Sequence, residues 1–202
     1  MDIFHNLSFK HGIVIGIISI IVFILLCQYL LWYVALAVLA LWLPWCVRYT
    51  LDLLKQDYTL ALYFIFVALQ SIHMGEHVAQ VTQIHILGRA FANSHGIFGA
   101  ALDVEVLHFA FDSLWIPFWT IYLIYKRRDI WMIVMLPLVL LHCCEHIVIM
   151  DYYLRTGITG SPGIMAQGGL IGSPLSRPDL HFLYNLAEES AMILGFRKAI
   201  QL

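Results

Sequence analysis

The chain has 202 residues and a net charge of −2, and its composition excludes an ordinary water-soluble domain. Hydrophobic residues make up 61% of it, charged residues only 12%, and the mean hydropathy is +0.83. Soluble domains carry about 25% charged residues, so this chain has too little polar surface to face water on all sides. Its sparse basic residues form no patch for nucleic acid. We therefore expect an all-α integral membrane protein whose main partner is the lipid bilayer.

The first apolar run extends from Gly12 to Val47. It is too long for one ordinary span of about 20 residues, and it lacks the turn signal that two spans need. We interpret residues 1–56 as one long or bent helix, which reaches the interface near Pro44, followed by a cytoplasmic linker. A tight hairpin near Gln28 is the alternative, and it would give six spans instead of five.

Four further helices complete the predicted set of about five spans. They extend from about Asp57 to Leu87, Val104 to Tyr125, Asp129 to Leu154 and Asp179 to Phe196. Gly, Pro, Ser and Asn residues fill the connections between the second and third helices and between the fourth and fifth.

The basic residues near the helix ends predict the orientation in the membrane. They form three clusters, at Arg48 and Lys55, at Lys126–Arg128, and at Arg197 and Lys198. All three fall on one side if each of the last four helices crosses once, and the positive-inside rule makes that side cytoplasmic. We expect a plasma or inner membrane location with the C-terminus in the cytoplasm and the glycine-rich loops outside.

An internal repeat organises the last four helices. The segment His73–His77 recurs as His142–His146, both with the pattern HxxEH. Downstream, Gly96–Gly99 matches Gly169–Gly172, Leu107–Phe109 matches Leu180–Phe182, and Asp112 corresponds to Asn185. Residues 57–126 and 127–202 are therefore predicted to be two copies of one unit, with an HxxEH helix, an outer glycine loop and a return helix. Two such units with the same orientation predict a pseudo-two-fold four-helix bundle.

The motif residues predict one clustered metal centre. At about 1.5 Å per helical residue, the six motif histidines reach similar heights, in the outer half of the membrane. Two histidines one turn apart share a helix face and chelate zinc, copper or iron. The predicted ligands are His73, Glu76, His77, His108, Asp112, His142, Glu145, His146, His181 and Glu188. We expect about two transition-metal ions (Fe, Cu or Zn), with Glu76 and Glu145 as catalytic bases.

Charge balance supports a metal in this layer. A charged carboxylate inside a bilayer costs roughly 2.5–3.5 kcal/mol on insertion scales, and basic side chains are scarce at this depth. A divalent cation offsets that cost directly. The simpler alternative is that the histidines and carboxylates are protonated and hydrogen-bonded, and serve only helix association.

The predicted function is that of a membrane metalloenzyme acting on a small or lipid-soluble substrate from the outer half of the bilayer. HxxEH resembles the inverted zinc-peptidase motif, in which two histidines bind metal and the glutamate is the base. Six histidines with two glutamates also resemble the ligand count of membrane di-iron desaturases. We slightly prefer an oxidoreductase over a hydrolase.

Two other functions are also compatible with the sequence. Facing histidines in a four-helix membrane bundle could hold a b-type haem through two axial imidazoles. The chain could also be an ion-handling component or a non-catalytic subunit that works with other membrane subunits.

Overall fold

A computed structural model describes residues 31–97, 105–125 and 129–201, with single positions at 14, 17 and 18. These residues form helices and loops only, which confirms the all-α prediction. The helices are α1 (Leu31–Leu54), α2 (Tyr58–His85), α3 (Glu105–Ser113), α4 (Trp115–Tyr125), α5 (Ile130–Thr156) and α6 (Arg177–Ala199), with a 3-10 turn at Phe91–Asn93. Most of the first apolar run, including the alternative hairpin near Gln28, and the cluster Lys126–Arg128 lie outside the described residues.

Polar caps fix where three of these helices begin. The carboxylate of Asp57 accepts the amide of Thr59 at 2.7 Å before α2, and Asp129 accepts the amide of Trp131 at 3.0 Å before α5. Each cap satisfies an amide that has no partner within the helix. Ser176 caps α6 two to three residues earlier than we predicted, because the proline that follows it suits the first turn of a helix.

The predicted third helix is two shorter helices, α3 and α4, which meet at Leu114. Pro117 explains the break, because it has no amide hydrogen to donate and its ring clashes with the carbonyl of Ser113, four residues earlier. The prediction of one continuous helix was wrong in this detail. Helix α1 also continues beyond the expected end at Val47, as far as Leu54.

The helices pack so that each HxxEH helix lies beside the return helix of the other half of the chain. Helix α2 packs against α6 and α1, and α5 packs against α3, α4 and α6. Helix α4 also contacts α2. This pairing places motifs that are far apart in sequence on facing helices.

An aromatic core fills the bundle on one side of the motif residues. Tyr63 lies at its centre and donates a hydrogen bond to the carbonyl of Met192 at 2.9 Å. The rings of Phe118, Tyr122 and Phe196 lie 4.3–5.6 Å from the Tyr63 ring. These residues belong to the start of α2, to α4 and to the end of α6. The core therefore separates the motif layer from that end of the bundle.

Helices α2 and α5 are long and apolar enough to cross a membrane. Their motif residues face inward, and most side chains that face outward along the middle of each helix are apolar. Exposed examples are Leu62, Ile65 and Leu69 on α2, and Ile133, Val134, Leu140 and Ile147 on α5. Exposed polar residues such as His85, Asp151 and Arg155 lie near the ends of the two helices. Polar residues inside and apolar residues outside are the arrangement expected of helices that face lipid.

Gly195 offers a test of this packing, because it lies where α6 meets both α2 and the cap of α5. A Cβ at this position would collide with the Tyr63 hydroxyl and lie 2.6 Å from an Asp129 carboxylate oxygen. We expect Gly195→Ala to lower the free energy of unfolding by about 1–3 kcal/mol, the usual cost of overpacking. Thermal unfolding in mild detergent measures the change. The neighbouring change Leu194→Ala, on a partly exposed side chain, is the control, and equal stability of the two variants would contradict the packing.

Candidate metal centre

Six buried or half-buried histidines form two triads. The first triad is His73, His77 and His108, and the second triad is His142, His146 and His181. Within each triad, one ligand nitrogen per residue lies within 4.8 Å of the others. Three imidazole nitrogens at this separation can bind one transition-metal ion. The structure thus brings together all six histidines that the repeat predicts.

Two histidines of each triad come from one helix, one turn apart. The Nε2 atoms of His73 and His77 lie 2.9 Å apart, and those of His142 and His146 lie 3.2 Å apart. Because the two residues are spaced by four, their side chains leave the same helix face. Their nitrogens then converge on one point, as in a metal chelate. The third histidine, on α3 or α6, comes from the return helix.

The two triads are neighbours and form one cluster. The ring centroids of His77 and His181 lie 6.0 Å apart. Those of His108 and His146 lie 6.3 Å apart, with the two rings parallel. Two ions held by the triads would therefore share one centre inside the bundle.

Asp112 lies between the triads. Its Oδ2 is 2.8 Å from Nε2 of His146, and its Oδ1 is 3.9 Å from Nδ1 of His73. The residue is 1% exposed, and among the described residues neither carboxylate oxygen has a hydrogen-bond partner of proper geometry. Burying a carboxylate in this way is costly unless a cation neutralises it. The position of Asp112 suits a carboxylate that binds one ion or bridges two.

Glu188 lies behind the second triad. Its Oε1 is 3.0 Å from Nδ1 of His142, and both side chains are almost fully buried. If Nδ1 of His142 donates this hydrogen bond, its Nε2 carries the lone pair and faces the triad. A carboxylate that orients a ligand histidine in this manner is a regular feature of metal sites. Glu188 is therefore placed to orient His142 and is not itself in the triad.

The glutamates of the two HxxEH motifs hold the loops that follow α2 and α5. Glu76 accepts the amide of Ile97 at 2.8 Å, and Glu145 accepts the amide of Met165 at 3.2–3.3 Å. Gly96 and Gly163 lie against these carboxylates with φ of +64° and +67°. A side chain at either glycine would collide with the carboxylate. Neither glutamate, both predicted ligands and bases, belongs to a triad.

A buried amide pair that the motifs did not indicate lies next to the second triad. Gln70 donates from Nε2 to Oδ1 of Asn185 at 2.8 Å, and Asn185 donates from Nδ2 to the carbonyl of His181 at 2.9 Å. Both residues are 0% exposed. The spacing of Gln70, one turn before His73, could have indicated that it faces inward.

One aromatic ring covers a side of each triad. Phe111 lies edge-on to His73 with ring centroids 4.5 Å apart, and Tyr184 lies 5.0 Å from His142. Each of these rings is three residues after the histidine of its return helix. Burial of the imidazoles by such rings keeps water from the centre.

An ion pair joins the elements at the end of the bundle opposite the aromatic core. Arg177 donates from two nitrogens to Glu105, at 2.7 and 2.6 Å, and donates to the carbonyl of Ser161 at 3.3 Å. Glu105 also accepts the amide of Gly160 at 2.9 Å. The contacts join the start of α3, the start of α6 and the loop before α6. Another histidine, His85, lies 2.6 Å from Asp179 on the surface and outside both triads.

No family model matches the chain, and no curated protein or solved structure with which we compared it is significantly similar. The function therefore has to be argued from the geometry and chemistry of the two triads.

The role of Glu145 can be tested by hydrogen exchange. In Glu145→Ala the amide of Met165 loses its acceptor, so we expect its exchange and that of residues 163–172 to accelerate by about tenfold or more. Asp151→Ala, which removes an exposed carboxylate of the same helix, is the matched control and should leave the loop unchanged. Unchanged exchange in Glu145→Ala would show that this glutamate does not hold the loop.

Proposed function

We propose that the protein is an integral-membrane metalloprotein that holds two metal ions side by side, one on each histidine triad. The observation that carries this proposal is the burial of six imidazoles around Asp112. In the described part of the chain, no lysine or arginine forms an ion pair with Asp112 or Glu188. Two divalent cations would supply the charge that this layer lacks.

We also propose that the chain crosses the membrane about five times and that its last four spans are a tandem repeat. Matched geometry supports the repeat: equivalent histidines form the two triads, and Glu76 and Glu145 each accept a loop amide. The swapped pairing of α2 with α6 and of α5 with α3 is what a pseudo-two-fold axis along the membrane normal would produce.

The ligand set favours copper or zinc over iron. Each triad offers only imidazoles, which suit copper and zinc well, whereas di-iron sites in helix bundles use several glutamates as ligands. The close packing of the rings argues against haem. A porphyrin between any two of these imidazoles would extend sideways into the places of the others, whose ring centroids lie only 4.9–6.3 Å away.

Oxidation or reduction of a small or lipid-soluble substrate is the chemistry that this centre supports best. Two copper ions, if bound, could together exchange two electrons with a substrate, accepting one each when the substrate is oxidised and donating one each when it is reduced. Hydrolysis would need a free general base close to the metal, and both motif glutamates are occupied by loop amides. The aromatic core closes the bundle below the triads, so we propose that substrate arrives from the outer half of the membrane. That core also argues against an ion path through the bundle.

Metal content is the first test. Protein purified in mild detergent, without chelator or affinity histidines, should contain two equivalents of copper or zinc. His73→Ala and His142→Ala should each lose one equivalent or more, and the double variant should lose both. Mass spectrometry of the metals measures the content, and an absorption change on reduction and on re-exposure to air would identify a redox-active copper pair.

His85→Ala is the matched control for these variants, because His85 is exposed and outside the triads. It should keep both equivalents. Folded wild-type protein that binds no metal, even after reconstitution with copper and zinc, would contradict the proposal. A haem absorption band would contradict it in a different way, and zinc alone with no redox change would favour hydrolysis.

The proposed orientation can be tested by labelling single cysteines in intact cells. Gln167→Cys lies on an exposed part of the outer loop, and Lys198→Cys lies at the exposed end of α6. A membrane-impermeant maleimide should label position 167 in intact cells and position 198 only after permeabilisation, because the positive-inside rule puts the end of α6 in the cytoplasm. The opposite pattern would reverse the topology.

A further inference from the structure

We infer that the two triads are not equivalent: the second triad holds its metal tightly, and the first triad is the weaker site that exchanges metal and meets substrate. The inference rests on the proposed function, since it concerns the same centre. Its basis is that some residues in one half of the site differ in charge from their counterparts in the other half.

Most residues of one triad have a counterpart in the other triad with the same arrangement. Each triad has two histidines from an HxxEH helix and one from a return helix. Glu76 and Glu145 each accept a loop amide, so neither favours one triad over the other. Two further pairs of counterparts among the described residues differ in the charge that they place beside a triad histidine.

Glu188 is the first difference. It lies seven residues after His181, and the residue seven after His108 is Trp115. Trp115 is buried, and its Nε1 has no hydrogen-bond partner among the described residues. An indole cannot accept a hydrogen bond from an imidazole. His142 therefore has a carboxylate at its Nδ1, at 3.0 Å, whereas Nδ1 of its counterpart His73 has no hydrogen-bond partner among the described residues.

Asp112 is the second difference. Its counterpart is Asn185, a neutral side chain whose amide already bonds to Gln70 and to the carbonyl of His181. Asp112 itself lies much closer to the second triad, at 2.8 Å from His146 against 3.9 Å from His73. Asp112 and Glu188, the unmatched carboxylates that lie beside triad histidines, therefore act mainly on the second triad.

The two triads therefore differ in the negative charge that surrounds their metal sites, and they also differ in exposure. A divalent ion in the second triad is close to two carboxylates, which neutralise it and make its histidines better donors. In the first triad, the carboxylate oxygen near Nδ1 of His73 is the more distant oxygen of Asp112, at 3.9 Å. The first triad also includes His108, which is half-buried, whereas His181 in the second triad is 3% exposed. A metal site that exchanges ligands keeps an accessible side, and a structural site is closed.

The test is a titration of metal-free protein with Zn²⁺ in competition with a chromophoric chelator. Wild type should bind two equivalents in two steps. Glu188→Gln keeps an oxygen acceptor for His142 but removes the charge, so it should weaken the tighter step by about 10–100-fold and leave the weaker step unchanged. His142→Ala should abolish the tighter step, and His73→Ala should abolish the weaker one.

Glu189→Gln is the matched control. Glu189 is the adjacent buried carboxylate, but it accepts a hydrogen bond from Ser71 and bonds to no histidine. It should leave both steps as in wild type. Two equal steps, or equal effects of Glu188→Gln and Glu189→Gln, would overturn the inference while leaving the dinuclear centre intact. Folded wild-type protein that binds no Zn²⁺ would overturn both the inference and the proposed function.

Discussion

Charge neutralisation inside an apolar bundle is the constraint on which the rest of the site depends. Asp112 and Glu188 are buried, and their nearest charged or chargeable partners are histidines. If both carboxylates are ionised at membrane depth, insertion scales put the cost at roughly 5–7 kcal/mol. A whole domain is stable by only about 5–15 kcal/mol. A cost of this size has to be offset, and two metal ions in the triads would offset it.

The pairing of the helices makes this neutralisation by metal ions possible. A single HxxEH helix provides two imidazole nitrogens, and a third ligand has to come from another helix. Because α2 packs on α6 and α5 packs on α3, the four motif-bearing helices meet around one point and the two triads touch. The aromatic core around Tyr63 fixes these crossings from below, and the pair of Arg177 with Glu105 joins the elements above. Both groups of contacts hold the ligand nitrogens in place.

Much of this arrangement was predictable from the sequence, and the reasons for the rest are physical. The apolar composition and the repeat predicted an all-α chain with six converging histidines, since position on a helix largely fixes depth and face. The break at Leu114 was also signalled, by Pro117, but was not predicted. The partners of Glu76, Glu145 and Glu188 could not be predicted. The glutamate side chain has three rotatable bonds, so its carboxylate can reach a metal, an imidazole or a loop amide from the same position on a helix. The fold of the loops and the rotation of each helix decide among these.

The position of the motif glutamates also explains why a five-residue resemblance to the inverted zinc-peptidase motif is not enough to assign that motif's mechanism to this chain. In HxxEH the glutamate precedes the second histidine directly, so it points about 100° away from that histidine around the helix. In this bundle that direction leads to the loops after α2 and α5, where Gly96 and Gly163 leave space for a carboxylate against the backbone. The glutamates then act on the loops that cover the centre. The differences between the two triads come instead from Asp112 and Glu188, which the repeat does not duplicate.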